Sequence, residues 1–196
     1  MVILNGPPRS GKSSIIAALQ AAADGVWLGL GVDLAQQMLG EQWQPGIGLR
    51  PGGERPDLEP MVARLYQGLF GAVAAHSRQG LNVAVDVGLH EDYSTPLGIR
   101  RRVAEALSGL PVLVVGVDCP VEVAIQRRRE TWGGQGFAGG GAANPDPVQR
   151  WHREVHAGLD YDLEVDTSVL SAAGCAERIT AHLRAGTGLG LRSLAR

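Results

Sequence analysis

Eight residues near the start of the chain constrain it more than any others. Gly6-Pro7-Pro8-Arg9-Ser10-Gly11-Lys12-Ser13 matches the pattern G-x-x-x-x-G-K-[ST] in full. Such a loop needs a strand before it and a helix after it, and both are legible. Residues 1–5 (MVILN) form a short apolar run suited to a buried strand. Residues 13–23 (SSIIAALQAAA) have helical composition, with apolar side chains at Ile15, Ile16, Leu19 and Ala22 or Ala23. Glycines allow the backbone to curl so that successive N–H groups converge. The helix start adds free N–H groups and a positive dipole end. Gly6 to Ser14 are therefore expected to cradle the phosphates of ATP, with Lys12 on the β- and γ-phosphates and the Ser13 hydroxyl on Mg²⁺.

Composition bounds the rest. The chain has 196 residues, 44% of them hydrophobic, enough for one domain with a sizeable core. A formal net charge of −2 offers no basic surface for nucleic acid. No apolar run approaches membrane-spanning length, and the first strand begins at residue 1, so neither an anchor nor a signal peptide is expected. Cys119 and Cys175 lack metal-ligand spacing and read as free thiols. These features together predict a cytoplasmic protein with no membrane or nucleic-acid partner.

Strand-like runs recur at residues 2–5, 26–30, 81–86, 112–118 and 163–166, alternating with helical patterns over 34–39, 58–79, 95–107, 121–131, 147–159 and 171–185. On the helix over 58–79, Met61, Leu65, Leu69 and Val73 share one face. Alternation of this kind predicts an α/β fold: a three-layer sandwich of the P-loop kinase type, with a five-stranded parallel sheet covered by helices on both faces. The expected organisation is one domain over residues 1–185 followed by a flexible tail, 186–196.

Two aspartates stand out. Asp86 closes the run Leu81-Asn82-Val83-Ala84-Val85, where a carboxylate holds Mg²⁺ directly or through water. Asp33 follows the second strand and reads equally as a crevice-facing carboxylate or as a helix cap. Arg127, Arg128 and Arg129 lie on a helix leading into a Gly-rich stretch, the composition of a lid over a triphosphate. The same stretch reads equally as a flexible linker. Arg100, Arg101 and Arg102 read as a solvated or ion-paired face, and His76 and His90 as surface or hydrogen-bonded residues. His152 and His156 have i, i+4 spacing but no third ligand, which favours a surface role over a metal site.

The segments ILNGPPRSGKSS, WLGLGVD (27–33), NVAVDVGL (82–89), VLVVGVDCP (112–120), RRRET (127–131) and VHAGLDYDLEVDTS (155–168) follow one another in the order found in a known family. The sequence resembles the chloramphenicol phosphotransferase-like family of small P-loop kinases. That resemblance implies transfer of phosphate from ATP to a small-molecule hydroxyl, with antibiotic inactivation as the namesake's role. It implies that Asp33 is the base and that residues 34–60 choose the acceptor. It also exposes a departure. The family carries an Arg-Gly-Asp-Arg-like segment after RET, whereas this chain has Trp132-Gly133-Gly134-Gln135-Gly136. With a lid over about 127–150, the expected division is Arg127 on ATP and Arg129 at the transferring phosphate, with Arg128, Arg150 or Arg153 as substitutes. A kinase for another alcohol, such as a sugar, nucleoside or natural product, and a nucleotide-binding regulator with little activity are the other readings. Catalysis is assigned to Asp33, Lys12 and Arg129, and Mg²⁺ to Ser13 and Asp86.

Overall fold

The computed structural model describes residues 1–43, 56–132, 147–186, 191 and 194; the side chains of Arg128, Arg129, Thr131, Trp132, Pro147 and Val148 lie outside the description. Five strands, β1 (Val2–Asn5), β2 (Trp27–Gly31), β3 (Asn82–Val87), β4 (Leu113–Asp118) and β5 (Leu163–Asp166), form a sheet in the order β2-β3-β1-β4-β5. Every pairing is parallel. The helices are α1 (Lys12–Ala22), α2 (Val32–Gln37), α3 (Glu59–Arg78), α4 (Ile99–Ala106), α5 (Val121–Trp132), α6 (Pro147–Glu154) and α7 (Ala172–Ala185).

Alternation along the strands divides the core in two. Ile3, Val83, Val85 and Val114 face one way and bury the apolar stripes of α3 and α4, including Phe70, Val73 and Val103. Val2, Leu4, Val115 and Val117 face the other way and pack on Ile15 and Leu19 of α1 and on Cys175 and Ile179 of α7. This is the three-layer arrangement that the pattern of elements predicts. Both cysteines are free and buried.

Several boundaries move for local reasons. Pairing of β2 starts at Trp27, opposite Asn82, because Val26 is 66% exposed next to the Gly25 turn. The fourth helix begins at Ile99 and not at 95, since Pro96 disfavours helix at Thr95 and Gly98 adopts φ 61°. Helix α6 stops at Glu154, short of the expected 159. The buried face of α3 keeps Leu69 and Val73 of the expected stripe and adds Val62, Tyr66 and Phe70, while Met61 and Leu65 are half-buried at its edge. The tail expected to be loose carries Leu194, which is 1% exposed within the first core cluster, because an apolar side chain near the sheet gains by burial. Among the described residues no helix is long and apolar enough to cross a membrane.

The ring of Tyr161 lies flat on β4 at Gly116, where an added Cβ would stand 2.5 Å from a ring carbon. A methyl group there must displace the ring, and overpacking of this kind costs about 1–3 kcal/mol. Gly116→Ala is therefore expected to lower the melting temperature by several degrees. An unchanged thermal melt would refute the close approach.

Candidate active site

The phosphate loop lies between β1 and α1, where chemistry at the atomic level explains each residue type. A Cβ at Gly6 would come within 2.1 Å of the Val117 carbonyl oxygen, so no other residue fits against β4. Gly11 has φ +91°, and Arg9, the non-glycine residue with positive φ among those described, has φ +67°. Left-handed residues in such a loop turn successive N–H groups toward one concavity. Lys12 is buried, and its Nζ donates to the carbonyls of Gly6 (3.0 Å) and Pro7 (2.8 Å). The same Nζ lies 3.4 Å from Asp86 Oδ1. Ser13 Oγ donates to Asp86 Oδ2 at 2.6 Å. Ser14 sits on the rim of the same groove.

These residues fit a nucleotide with a magnesium ion. Ser13 and Asp86 form a hard oxygen pair beside a cationic lysine, and the glycine-lined loop admits a phosphate close to the backbone. Among the described residues no three His, Cys, Asp or Glu side chains cluster as a metal site. Mg²⁺ does not need such a cage, since it keeps several waters and takes one or two protein oxygens plus phosphate.

Asp33 lies in the first turn of α2, two residues beyond β2, and is exposed. It shares one cleft with Lys12 and Asp86. Sequence left Asp33 between a crevice-facing and a capping role. The cap position belongs to Gly31, and Asp33 makes no cap bond. Its charge helps push the Tyr66 hydroxyl above its usual range, after burial, which is the larger cause.

Arg127 reaches the loop from α5. Its Nη1 donates to Thr167 Oγ1 (2.9 Å) and Arg9 O (3.3 Å), and its Nη2 donates to Thr167 O (2.7 Å). Thr167 was not singled out by sequence, yet it ties the ends of β4 and β5 to the phosphate loop: its Oγ1 donates to Ser10 O at 2.8 Å and its backbone N donates to Asp118 O at 3.0 Å. A Thr directly after the last strand was the only available signal. The Arg129 side chain, assigned a catalytic role from sequence, lies outside the described residues, as do the Gly-rich stretches 44–55 and 133–146. The two substitutes on α6 are paired away from the loop: Arg150 with Asp92 at 2.7 Å and Arg153 with Glu154 at 2.9 Å.

Beneath the loop, Asn5 is fully buried and joins three segments. Leu89 N donates to its Oδ1 at 2.6 Å, while its Nδ2 donates to Val155 O (2.9 Å) and to the Tyr161 hydroxyl (2.8 Å). The Tyr161 hydroxyl also shares a hydrogen bond with His156 Nδ1 at 2.8 Å. Burial raises the Tyr161 pKa to about 12. His156 is thus a hydrogen-bonded, half-buried residue and not the surface one expected. The expectation for His90 is corrected too. It is 2% exposed, stacks on Tyr93 at 4.3 Å, meets Trp151 edge-on at 6.0 Å, and its Nδ1 has no hydrogen-bond partner among the described residues. Both outcomes come from α6 and its following turn packing over the ends of β1 and β3, a long-range contact that local composition cannot encode. Of the arginine run, Arg101 pairs with Glu105 at 3.9 Å and Arg102 donates to Leu97 O, whereas Arg100 is half-buried.

Comparison with known proteins follows this geometry closely. The family model for chloramphenicol phosphotransferase-like protein matches residues 1–184. A Mycobacterium tuberculosis (strain H37Rv) protein named "Putative O-phosphotransferase Rv2636" is 26% identical over 179 residues, covering 86% of this chain and 75% of that one. The M. tuberculosis APS kinase CysC, solved with AMPPNP and APS, superposes with a TM-score of 0.61 at 20% identity, covering 93% of this chain and 96% of that one. Shikimate kinase from Acinetobacter baumannii, solved with shikimate, gives a TM-score of 0.55 at 17% identity, covering 95% and 93%. Both solved structures share the fold.

Burial also sets a pH dependence. Desolvation holds the pKa of His90 down to about 4 and lowers those of His152 and His156. The folded state resists protonation of these rings, whereas the unfolded chain takes up protons near pH 6.5. Their contribution is therefore intact above pH 6.5 and is lost as pH falls toward 4, with His90 alone accounting for about 3 kcal/mol at most. Thermal melts across pH 4–7 should show this decline, and His90→Phe should remove a measurable part of the slope. Equal slopes would place His90 in water.

Proposed function

The chain belongs to the chloramphenicol phosphotransferase-like family, and on that premise we propose that it transfers the γ-phosphoryl group of ATP to a hydroxyl of a small molecule. The observation that carries this reading is the contact of Lys12, Ser13 and Asp86 at the mouth of a cleft that Asp33 shares. The loop amides and Lys12 bind and orient the triphosphate. Ser13 and Asp86 would hold Mg²⁺, which would supply positive charge against the negative charge that builds on the phosphoryl oxygens. Arg127, fixed by Thr167 and Arg9 O, lines the triphosphate groove and adds a second cation there.

Asp33 supplies the remaining role. It sits in the cleft on the other side of Asp86 from the loop helix and accepts the acceptor's proton as the hydroxyl oxygen attacks phosphorus. A carboxylate is a weak base for an alcohol. Its main contribution is to point a lone pair of the acceptor oxygen at phosphorus, with the proton transferred late. The small-molecule acceptor lies in the cleft between Asp33 and the wall formed by Tyr66, His90 and Trp151.

Acceptor-dependent ADP release, with product mass, tests the reaction. Asp33→Asn keeps the side chain's size and removes its charge. Turnover should fall about 10²–10⁴-fold while ATP binding and the melting curve stay close to those of the parent. Turnover retained in that variant would return Asp33 to a structural role.

The metal assignment has its own test. Asp86→Asn takes away one anionic oxygen and the lysine's counter-charge. It should shift the Mg²⁺ titration to higher concentration and reduce kcat. A superimposable Mg²⁺ titration would remove Asp86 from the metal site.

A further inference from the structure

One hydroxyl joins three segments at the edge of the groove beside the phosphate loop. Thr167 follows β5 directly and lines that groove with Gly11, Ser13 and Arg127. Its Oγ1 accepts from Arg127 Nη1 at 2.9 Å. It donates its one proton to Ser10 O at 2.8 Å, the nearer of two carbonyls in reach, since Asp118 O stands at 3.3 Å. The Thr167 carbonyl accepts from Arg127 Nη2 at 2.7 Å. A hydroxyl can do this because it donates once and accepts twice.

Thr167 is the fixed member of the trio. Its backbone N–H donates to Asp118 O at 3.0 Å, which continues the pairing of Asp166 with Asp118 in the sheet. On its other side, Ser168 N and Ser168 Oγ both donate to Asp166 Oδ1 at 2.7 Å and close the turn. Its methyl group also meets the loop, since a Cβ built on Gly11 would stand 3.4 Å from Thr167 Cγ2. Pinning Ser10 O has a further consequence. The peptide between Ser10 and Gly11 is planar and trans, so the Gly11 N–H points away from Thr167. The same hydroxyl thus sets the direction of a loop amide and the orientation of a guanidinium.

We propose that Thr167 is a positioning residue of the nucleotide site: through its hydroxyl it couples Arg127 to the phosphate loop, so that the guanidinium and the loop amides meet the triphosphate as one unit. The inference rests on the kinase reading and adds to it a dependence between two groups that would otherwise act separately. Arg127 belongs to α5 and the loop to the junction of β1 and α1, and the Thr167 side chain bridges them. Hydrogen bonds with a charged partner are among the stronger ones in proteins, so loss of Oγ1 reaches nucleotide affinity through Arg127. Valine has the shape of threonine without the hydroxyl, and serine has the hydroxyl without the methyl. The two substitutions separate the bonds from the packing.

Calorimetric titration of the full chain with ATP and Mg²⁺, with no acceptor present, reads the effect directly. Thr167→Val should weaken ATP binding about tenfold or more, while Thr167→Ser should stay within about threefold of the parent. Arg127→Ala should also weaken binding about tenfold, and Thr167→Val combined with Arg127→Ala should lose about fivefold less than the product of the two single losses. Single losses that multiply, or Thr167→Val binding ATP as the parent does, overturn the proposal and leave the kinase reading standing. Thr167→Ser as weak as Thr167→Val overturns it too, because the effect then belongs to the methyl group. Should Thr167→Val fail to melt cooperatively, Thr167→Ala replaces it under the same criteria. If neither melts cooperatively, the hydroxyl is a folding determinant and the proposal falls. A parent chain that does not bind ATP with Mg²⁺ removes the kinase reading and this inference together.

Discussion

The site depends on one carboxylate held at the meeting of three strand ends. Asp86 accepts from Ser13 Oγ at 2.6 Å and faces Lys12 Nζ at 3.4 Å. By register it lies opposite Leu4 of β1 on one side and Gly31 of β2 on the other. It occupies this place because β3 is inserted between β2 and β1, so that the chain's third strand separates its first two. Side chains alternate along a strand, and a slip of one residue would send Asp86 to the opposite face. The apolar residues flanking it forbid that slip: Val85 and Val87 are fully buried in the core under α3. Hydrophobic alternation thus aims a charged group. The pair itself is poor at stabilising the fold, since partly buried ions lose hydration that their attraction only about balances. On the proposed reading, its value lies in holding an oxygen and a nitrogen at one end of the cleft, where phosphate would bind.

A second network performs a similar service below the loop. Asn5, at the end of β1, spends its side chain on the backbone of Leu89, the backbone of Val155 and the hydroxyl of Tyr161. Each partner comes from a segment far away in sequence. Removing one of them would leave a buried amide atom unpaired, at a cost of about 1–3 kcal/mol. Because Tyr161 passes the constraint on to His156, the turn after α6 is fixed relative to β1 by directional bonds as well as by packing. The same turn lets Trp151 settle over Gly88 and close the aromatic wall. The geometry of the cleft beside Trp151 therefore follows in part from an asparagine outside its lining.

The fold was legible because its signals are local. A glycine pattern that demands left-handed backbone, a strand that is apolar throughout, and a helix with a 3.6-residue stripe each carry their own physics within a few residues. Asp86 was legible for the same reason, as a carboxylate at the end of an apolar run. Asp33 was only half legible: whether it faces the crevice depends on where α2 begins, and Val32 starts that helix two residues earlier than the pattern implied. Thr167 carries almost no local signature beyond its place directly after the last strand. Its importance arises when β5 pairs with β4 and brings its hydroxyl to Ser10 O and to Arg127. His90 was misjudged because an isolated histidine is normally solvated. What buries it is Trp151, a residue of a short amphipathic helix whose docking site is set by the network around Asn5 and Tyr161.

The altered lid sequence raises the question of where positive charge comes from during transfer, and the pairing of the arginines narrows the answer. Arg150 is held by Asp92 at 2.7 Å, both half-buried, and moving it to the phosphates would leave that carboxylate uncompensated. Arg153 is mostly exposed and paired with its neighbour Glu154. Arg127 differs in place: it already lines the groove beside the phosphate loop, where it donates to the Thr167 hydroxyl, the Thr167 carbonyl and the Arg9 carbonyl. Those contacts orient its guanidinium. On the proposed reading the guanidinium stands in the same groove as Gly11 and Ser13, on the side where phosphate oxygens would lie. Loss of the usual lid arginine is then compatible with transfer, provided that the hydroxyl held by Asp33 is oriented well enough for proximity to supply what charge does not.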